Sequence, residues 1–193
     1  MIKKLDFYVK KYEGFIDKNI CKKTVEELNN LKKNYWSEHV FYNPSLKKDV
    51  KLSGAYELST SYTNEISTEK EIMNLYWKAI YKYVLEDIKN SWFDSWSGFS
   101  KIRYNKYSSN KKMAEHCDHI TMIFDGERKG IPILSVLSVL NNDYSGGEFF
   151  MFQDKKIKLN EGDVLIFPSN FLYPHKVDPV IKGTRYSMIS WVW

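Results

Sequence analysis

Residues 131–152 read IPILSVLSVLNNDYSGGEFFMF. An apolar run, a cluster of Asn, Asp, Ser and Gly, and a second apolar run follow one another. Residues 131–140 have the composition of a buried strand, 141–147 that of a turn, and EFFMF that of the next strand. The pattern extends on both sides. From Phe99 the apolar period is two, and FSKIRYNKY reads as a strand. Residues 157–159 and 164–167 read as short strands joined by the turn Asn160-Glu161-Gly162-Asp163. RYSMISWVW, from Arg185, closes the chain as a strand. Many short, evenly spaced strands with Gly-rich turns predict a mainly β (α+β) protein, a sandwich or jelly roll with helices packed outside.

Upstream of residue 98 the composition changes. Residues 17–33 predict a helix capped by Asp17 or Asn19, with Ile20, Thr24, Leu28 and Leu31 on one face. Residues 68–90 predict a longer one. Thr68 and Glu71 have capping-box spacing, and the stripe from Ile72 through Ile88 repeats at helical intervals. That stripe is core, packed on a sheet. Trp92 and Trp96 follow it, and Gly98 closes the segment. Residues 34–68 mix aromatics with the turn signals Asn43-Pro44 and Ser53-Gly54, which predicts short strands and loops. There is no repeat or low-complexity linker. One domain over 1–193 is expected, with 1–98 as a helical support and 99–193 as the β core.

The chain has 193 residues, enough to bury a sizeable core, and 16% aromatics. Its formal charge of +5 is spread over many lysines, which fits a solvated surface better than a nucleic-acid footprint. Two cysteines in unlike contexts, Cys21 and Cys117, exclude a disulfide scaffold and suit a reducing cytosol. The N-terminal residues lack a secretory apolar run, and nothing reaches the ~18 apolar residues of a membrane helix. A cytoplasmic protein without a membrane partner is expected; oligomeric state is not legible.

The chemistry centres on His116-Cys117-Asp118. In an extended segment a His and an Asp two apart share a face. Of the four histidines, His175 stands beyond the strand ending at Pro168, where a barrel can return it to His116. Two His and one Asp with open positions suit a non-haem Fe(II) oxygenase. A hydrolytic zinc site is the alternative, and it leaves Arg185 without a task. His39 reads as an ordinary core or surface residue, and His119 as a surface residue or a support to the ligands. Cys117 alternates away from the pocket. In the last strand Arg185, Ser187, Ile189 and Trp191 share one face. A guanidinium inside a barrel needs an anion. The anion is either a ligand carboxylate, with the Ser187 hydroxyl assisting, or a structural partner such as Glu148 or Asp163.

The ordered set of His116-x-Asp118, LNNDYSGGEF, EGDVLIFPSN, His175 and GTRYS resembles an Fe(II)- and 2-oxoglutarate-dependent dioxygenase. The nearest branch is the prolyl-4-hydroxylase-like group, including small members carried by bacteriophages, and the resemblance covers residues 99–193. It implies a double-stranded β-helix (jelly-roll, cupin-like) core with N-terminal supporting helices. It also implies Fe(II) on His116, Asp118 and His175, with 2-oxoglutarate and O2 as cosubstrates. Arg185 would pair with the distal carboxylate of 2-oxoglutarate, with Ser187 beside it. The Tyr ahead of the first His that contacts the cosubstrate matches Tyr107, with Tyr104 as its rival. No catalytic residue beyond the metal site is implied.

The implied activity is hydroxylation of a C–H bond in a peptidyl or small-molecule substrate, with release of succinate and CO2. Prolyl hydroxylases proper often hold the cosubstrate with Lys, so Arg185 departs from them and proline is not implied. Halogenating relatives lack the carboxylate that Asp118 supplies. The nucleic-acid-modifying branch carries a second Arg where this chain has Trp191, which ranks it lower. The rival from another class is a non-catalytic metal- or ligand-binding jelly roll. Candidate substrate lids are 120–131, with Arg128 and Lys129, and 59–68. If the chain is phage-borne, the cytoplasm is that of the host.

Overall fold

The computed structural model describes residues 4–43, 45–52, 54–89, 98–118 and 132–193. Fifteen strands are present among them: β1 (Lys10–Tyr12), β2 (Ser37–Glu38), β3 (Phe41–Asn43), β4 (Lys48–Val50), β5 (Ser59–Ser61), β6 (Arg103–Tyr107), β7 (Met113–His116), β8 (Leu134–Val139), β9 (Ser145–Gly146), β10 (Phe149–Met151), β11 (Lys155–Ile157), β12 (Val164–Pro168), β13 (His175–Val177), β14 (Val180–Lys182) and β15 (Arg185–Val192). The helices are α1 (Lys18–Asn30) and α2 (Glu69–Tyr81).

A seven-stranded antiparallel sheet runs β1-β12-β8-β15-β6-β5-β2, and a four-stranded one runs β11-β10-β13-β7. Their facing sides share one buried cluster. Leu137, Leu165, Phe167 and Tyr107 come from the large sheet, and Phe149, Met151 and Val177 from the small one. This is a double-stranded β-helix. A second cluster lies on the other side of the large sheet, where Val136, Tyr186, Met188 and Val192 meet Ile72, Tyr76, Ile80 and Leu28 of the helices. Because both faces of β8 and β15 are covered, nearly every residue of these strands is buried. A serine or arginine within them is therefore the informative residue, since burying it unpaired is unfavourable.

The N-terminal half is less helical than its composition suggests, because β1, β2 and β5 pair into the large sheet. Helix α1 begins at Asp17, whose carboxylate accepts from the Asn19 N–H at 2.7 Å. It stops before residue 33, since Leu31 is already extended (φ −63°, ψ 133°). The capping box at Thr68 does not form. The Thr68 hydroxyl instead lies 2.6 Å from that of Thr24 in α1, so a tertiary contact takes the group a local cap needs. Beyond Tyr81, α2 passes into a wider π-helical turn at Lys82–Asp87, which directs Tyr83 and Val84 inward. Toward the end of the helical prediction and beyond it, residues 90–97, with Trp92 and Trp96, lie outside the described residues. From the strand expected at Phe99, regular pairing starts only at Arg103; Phe99 makes a lone bridge to Val192.

Glycine matters at the turn Asn160–Asp163. Gly162 has φ +83°, and a Cβ there would lie 2.3 Å from the Ile16 carbonyl oxygen. Asp163 holds the turn by accepting from the N–H groups of Asn160 and Gly14 at 2.8 and 2.9 Å, which ties β12 to β1. No helix among the described residues is long and apolar enough to cross a membrane.

Candidate metal centre and cosubstrate pocket

Strand pairing brings the three expected ligands together. β13 runs antiparallel to β7 with His175 directly opposite His116, and their ring centroids are 4.4 Å apart. Asp118 lies just past the end of β7. Its Oδ1 is 3.3 Å from His116 Nε2 and 3.7 Å from His175 Nε2. One donor atom from each residue lies within 4.8 Å of the others.

Each imidazole is fixed through its other nitrogen. His116 Nδ1 is 2.8 Å from the Ala114 carbonyl oxygen, and His175 Nδ1 is 3.1 Å from that of Tyr173. A carbonyl only accepts, so in each ring Nδ1 is the donor to it and Nε2 is the atom turned toward Asp118. Burial pushes the His175 imidazole down to about 4, against the opposite pull of Asp118. Burial also works against the Asp118 charge, but His175 and then His116 outweigh it and hold the carboxyl well below the usual carboxylate range. Near neutral pH the set therefore holds a neutral His175 and a carboxylate, the ligating forms. These donors, on one side of a pocket, fit a divalent iron with open positions.

Two serines complete the centre. Ser135 Oγ donates to Asp118 Oδ2 at 2.8 Å, and lies 2.5 Å from Ser169 Oγ. Oδ1 is thereby left for a metal. Sequence reasoning missed both residues. The available signal for Ser135 was its place, with Ser138, among the apolar residues of β8.

Arg185 opens β15, is 1% exposed, and is the largest fully buried side chain among the described residues. Its Nη1–H donates to Ser187 Oγ at 3.0 Å, and its guanidinium stands 4.9 Å from the Tyr107 ring, the cross-strand neighbour. Asn105 Nδ2 also reaches Ser187 Oγ, at 3.4 Å. Arg185 Nε has no hydrogen-bond partner, and among the described residues no carboxylate pairs with this guanidinium. The two structural partners considered from sequence are engaged elsewhere, Glu148 with Lys156 at 3.3 Å and Asp163 with backbone amides. An orphaned donor on a buried guanidinium fits an anionic cosubstrate.

Asn141, also missed, clamps both neighbours of Arg185. Its Nδ2–H donates to Thr184 O at 2.7 Å, and its Oδ1 accepts from Tyr186 N–H at 2.8 Å. Gly147 packs against the Arg185 stem, since a Cβ there would lie 3.0 Å from Arg185 Cδ.

The two tyrosines separate. Tyr107 faces the barrel interior, and burial raises its phenol pKa while Arg185 opposes the rise. Tyr104, an odd number of residues away on the same strand, points at the helices beside Tyr76, and its hydroxyl has no partner. It does not share the pocket of Arg185, which corrects its candidacy.

His39 lies closer to the centre than an ordinary surface or core histidine would. Its ring is 4.5 Å from Phe41, which is 5.4 Å from His116, and its Nδ1 is 3.8 Å from Glu57 Oε2. Burial, with Arg103 and His116 adding to it, pushes its pKa down to about 3. Cys117 Sγ turns toward the Phe171 carbonyl at 3.5 Å, away from the ligands. Of the candidate lids, 59–68 starts as sheet strand β5, while 120–131, with Arg128 and Lys129, lies outside the described residues, as does His119.

Residues 102–193 match the family described as the 2OG-Fe(II) oxygenase superfamily. A PKHD-type hydroxylase of Idiomarina loihiensis is 34% identical over 96 residues, 48% of this chain and 42% of the relative. One from Psychrobacter is 41% identical over 64 residues, covering 31% of this chain and 24% of the relative. The chain thus spans less than half the length of the curated relatives it matches. Among solved structures, a Trichoplax adhaerens prolyl hydroxylase, in complex with a hypoxia inducible factor peptide fragment, superposes with a TM-score of 0.74 at 16% identity. The match covers 96% of this chain and 83% of that one. A Pseudomonas putida prolyl-4-hydroxylase gives a TM-score of 0.66 at 14% identity, over 96% and 91%. At such identities the likeness establishes the fold.

Proposed function

We propose that the chain is an Fe(II)- and 2-oxoglutarate-dependent hydroxylase acting on a C–H bond of a peptidyl or small-molecule substrate, a reading that starts from the match of residues 102–193 to the 2OG-Fe(II) oxygenase superfamily. The observation that carries the reading is the presence of two groups in one barrel. His116, Asp118 and His175 bring three ligand atoms within 4.8 Å of one another, and the buried Arg185 keeps an Nε–H without a hydrogen-bond partner among the described residues.

In this reading His116 and His175, through Nε2, and Asp118, through Oδ1, would hold the Fe(II). With Fe(II) and 2-oxoglutarate bound, the site supplies the oxidising chemistry that places one atom of O2 in the substrate and the other in succinate, with loss of CO2. The protein's own part is positioning. Ser135, backed by Ser169, holds the far carboxylate oxygen, and the Ala114 and Tyr173 carbonyls hold the imidazoles. Arg185, with Ser187 and Tyr107, would fix the distal carboxylate of the cosubstrate. The apolar lining of Leu137, Phe149, Leu165 and Phe167 would exclude water from it. The peptide seen on the Trichoplax relative supports a peptidyl substrate, and the free Cys21 and Cys117 support the cytoplasm. We take the chain as one domain, with residues 1–98 buttressing the barrel.

The test is succinate formation from 2-oxoglutarate in air. Purified protein should produce it slowly with Fe(II) and no added substrate, and His175→Ala should not. Equal production by the variant, or none by the parent, contradicts the assignment.

A further inference from the structure

Arg103 lies on the inward face of β6, opposite Ile189 of β15. Its guanidinium carbon sits 4.9 Å from the centroid of the Trp191 ring, and its Nε–H donates to Asn105 Oδ1 at 3.1 Å. It makes no other hydrogen bond and no ion pair among the described residues. A guanidinium laid against an indole keeps its in-plane N–H groups available for a second partner.

Arg103 lines a cavity of about 490 Å³ with Tyr35, His39, Ser61 and Tyr62. The acid lining that cavity is Glu38, which is already paired with Lys51 and Lys111. Arg103 is therefore the charged group of that lining without an ion pair among the described residues. The cavity adjoins the metal-ligand cluster: His39, in its lining, packs edge-on to Phe41, and Phe41 meets the His116 ring. Arg185 is separate from it, buried at the other end of β15.

We propose that Arg103, braced by Trp191 and Asn105, is a specificity residue that binds a carboxylate of the substrate. The substrate class is then a molecule bearing a carboxylate near the C–H bond that reacts, either an acidic side chain in a peptide or a free α-carboxylate. The planar guanidinium offers a fork that matches a carboxylate's two oxygens, which a lysine cannot reproduce. The inference rests on the iron-oxygenase reading of the neighbouring site.

The test uses the full chain, anaerobic and loaded with Fe(II) and saturating 2-oxoglutarate. Two probe pairs are titrated: acetyl-Ala-Pro-Glu-Ala-amide against its Gln isostere, and N-acetylproline against N-acetylprolinamide. Affinity is read from tryptophan fluorescence and from the shift of the visible band of the iron chelate. The acid of one pair should bind ~10-fold tighter than its neutral partner, as expected for a charge-assisted contact. Preference in the first pair identifies a side-chain carboxylate, and in the second an α-carboxylate. The preference should fall below about 2-fold in Arg103→Met and be intermediate in Arg103→Lys, whose ammonium keeps the charge but not the fork. Equal affinity within both pairs, no binding of either acid, or a preference that survives Arg103→Met overturns the proposal. Failure of the band to form in the parent protein counts against the iron reading instead, so the two failures are distinct.

Discussion

Replacing Arg185 with Met should separate the stability of the barrel from its affinity for cosubstrate, in opposite directions. The guanidinium is 1% exposed, bonds to Ser187, stands over Tyr107, and has an orphaned Nε. An uncompensated buried charge is unfavourable, and apolar replacements of buried ionic groups commonly stabilise by about 1–4 kcal/mol. Allowing for the lost Ser187 bond and ring contact, Arg185→Met should gain about 1–2 kcal/mol without 2-oxoglutarate. The parent should gain from the ligand instead, by about 2.7 kcal/mol at a hundred times its dissociation constant. For a chain of this length that is a rise in Tm of roughly 5–11 °C. The assay is anaerobic thermal denaturation of Fe(II)-loaded protein with and without 2-oxoglutarate. The variant should melt higher than the parent without ligand and show no shift with it. An undiminished ligand shift refutes the cosubstrate role of Arg185. A variant that melts lower without ligand refutes the argument from uncompensated charge.

Ser135→Ala removes the donor to Asp118 Oδ2 and should weaken Fe(II) binding roughly 10–100-fold, as losses of such supporting bonds do. An unchanged affinity in a metal titration would show that the serine is only packing. Tyr104→Phe deletes a hydroxyl without a partner, so stability and 2-oxoglutarate affinity should both be preserved, while Tyr107→Phe should alter the latter. A loss of cosubstrate affinity in Tyr104→Phe would contradict its placement against the helices. In metal-free protein, burial lowers the His175 pKa from 6.5 to about 4. The folded state then binds fewer protons than the unfolded one, so stability should fall as pH drops from above 6.5 toward 4. The slope from this residue is at most about 1.4 kcal/mol per pH unit. Denaturant melts across that window check the sign, and stability that rises on acidification would contradict it.

What was legible in the sequence is what alternation along one strand can carry. The face shared by Arg185 and Ser187 followed from the period of two, and the jelly roll followed from the spacing of short strands and turns. What was not legible depends on register between strands. Ser135 reaches Asp118 from β8, and Ser169, just past the end of β12, backs Ser135; no local pattern in the chain links those three positions. Asn141 is similar, since its clamp on Thr184 and Tyr186 spans two turns. Strand parity could have decided between Tyr104 and Tyr107, because only Tyr107 lies opposite Arg185. Thr68 shows the converse, a local motif overridden by a tertiary contact with Thr24. The strands β2 and β5 fall within 34–68, where short strands were expected, whereas β1 was hidden because edge pairing needs few residues and little apolar pattern.

The central claim is that His116, Asp118 and His175 form one iron site that works with a 2-oxoglutarate pocket. Its most direct measurement is the visible absorption of anaerobic protein mixed with Fe(II) and 2-oxoglutarate. The parent should develop the weak charge-transfer band of the iron–2-oxoglutarate chelate, and His175→Ala should not. A parent without the band, or a variant with the same band, would contradict the account.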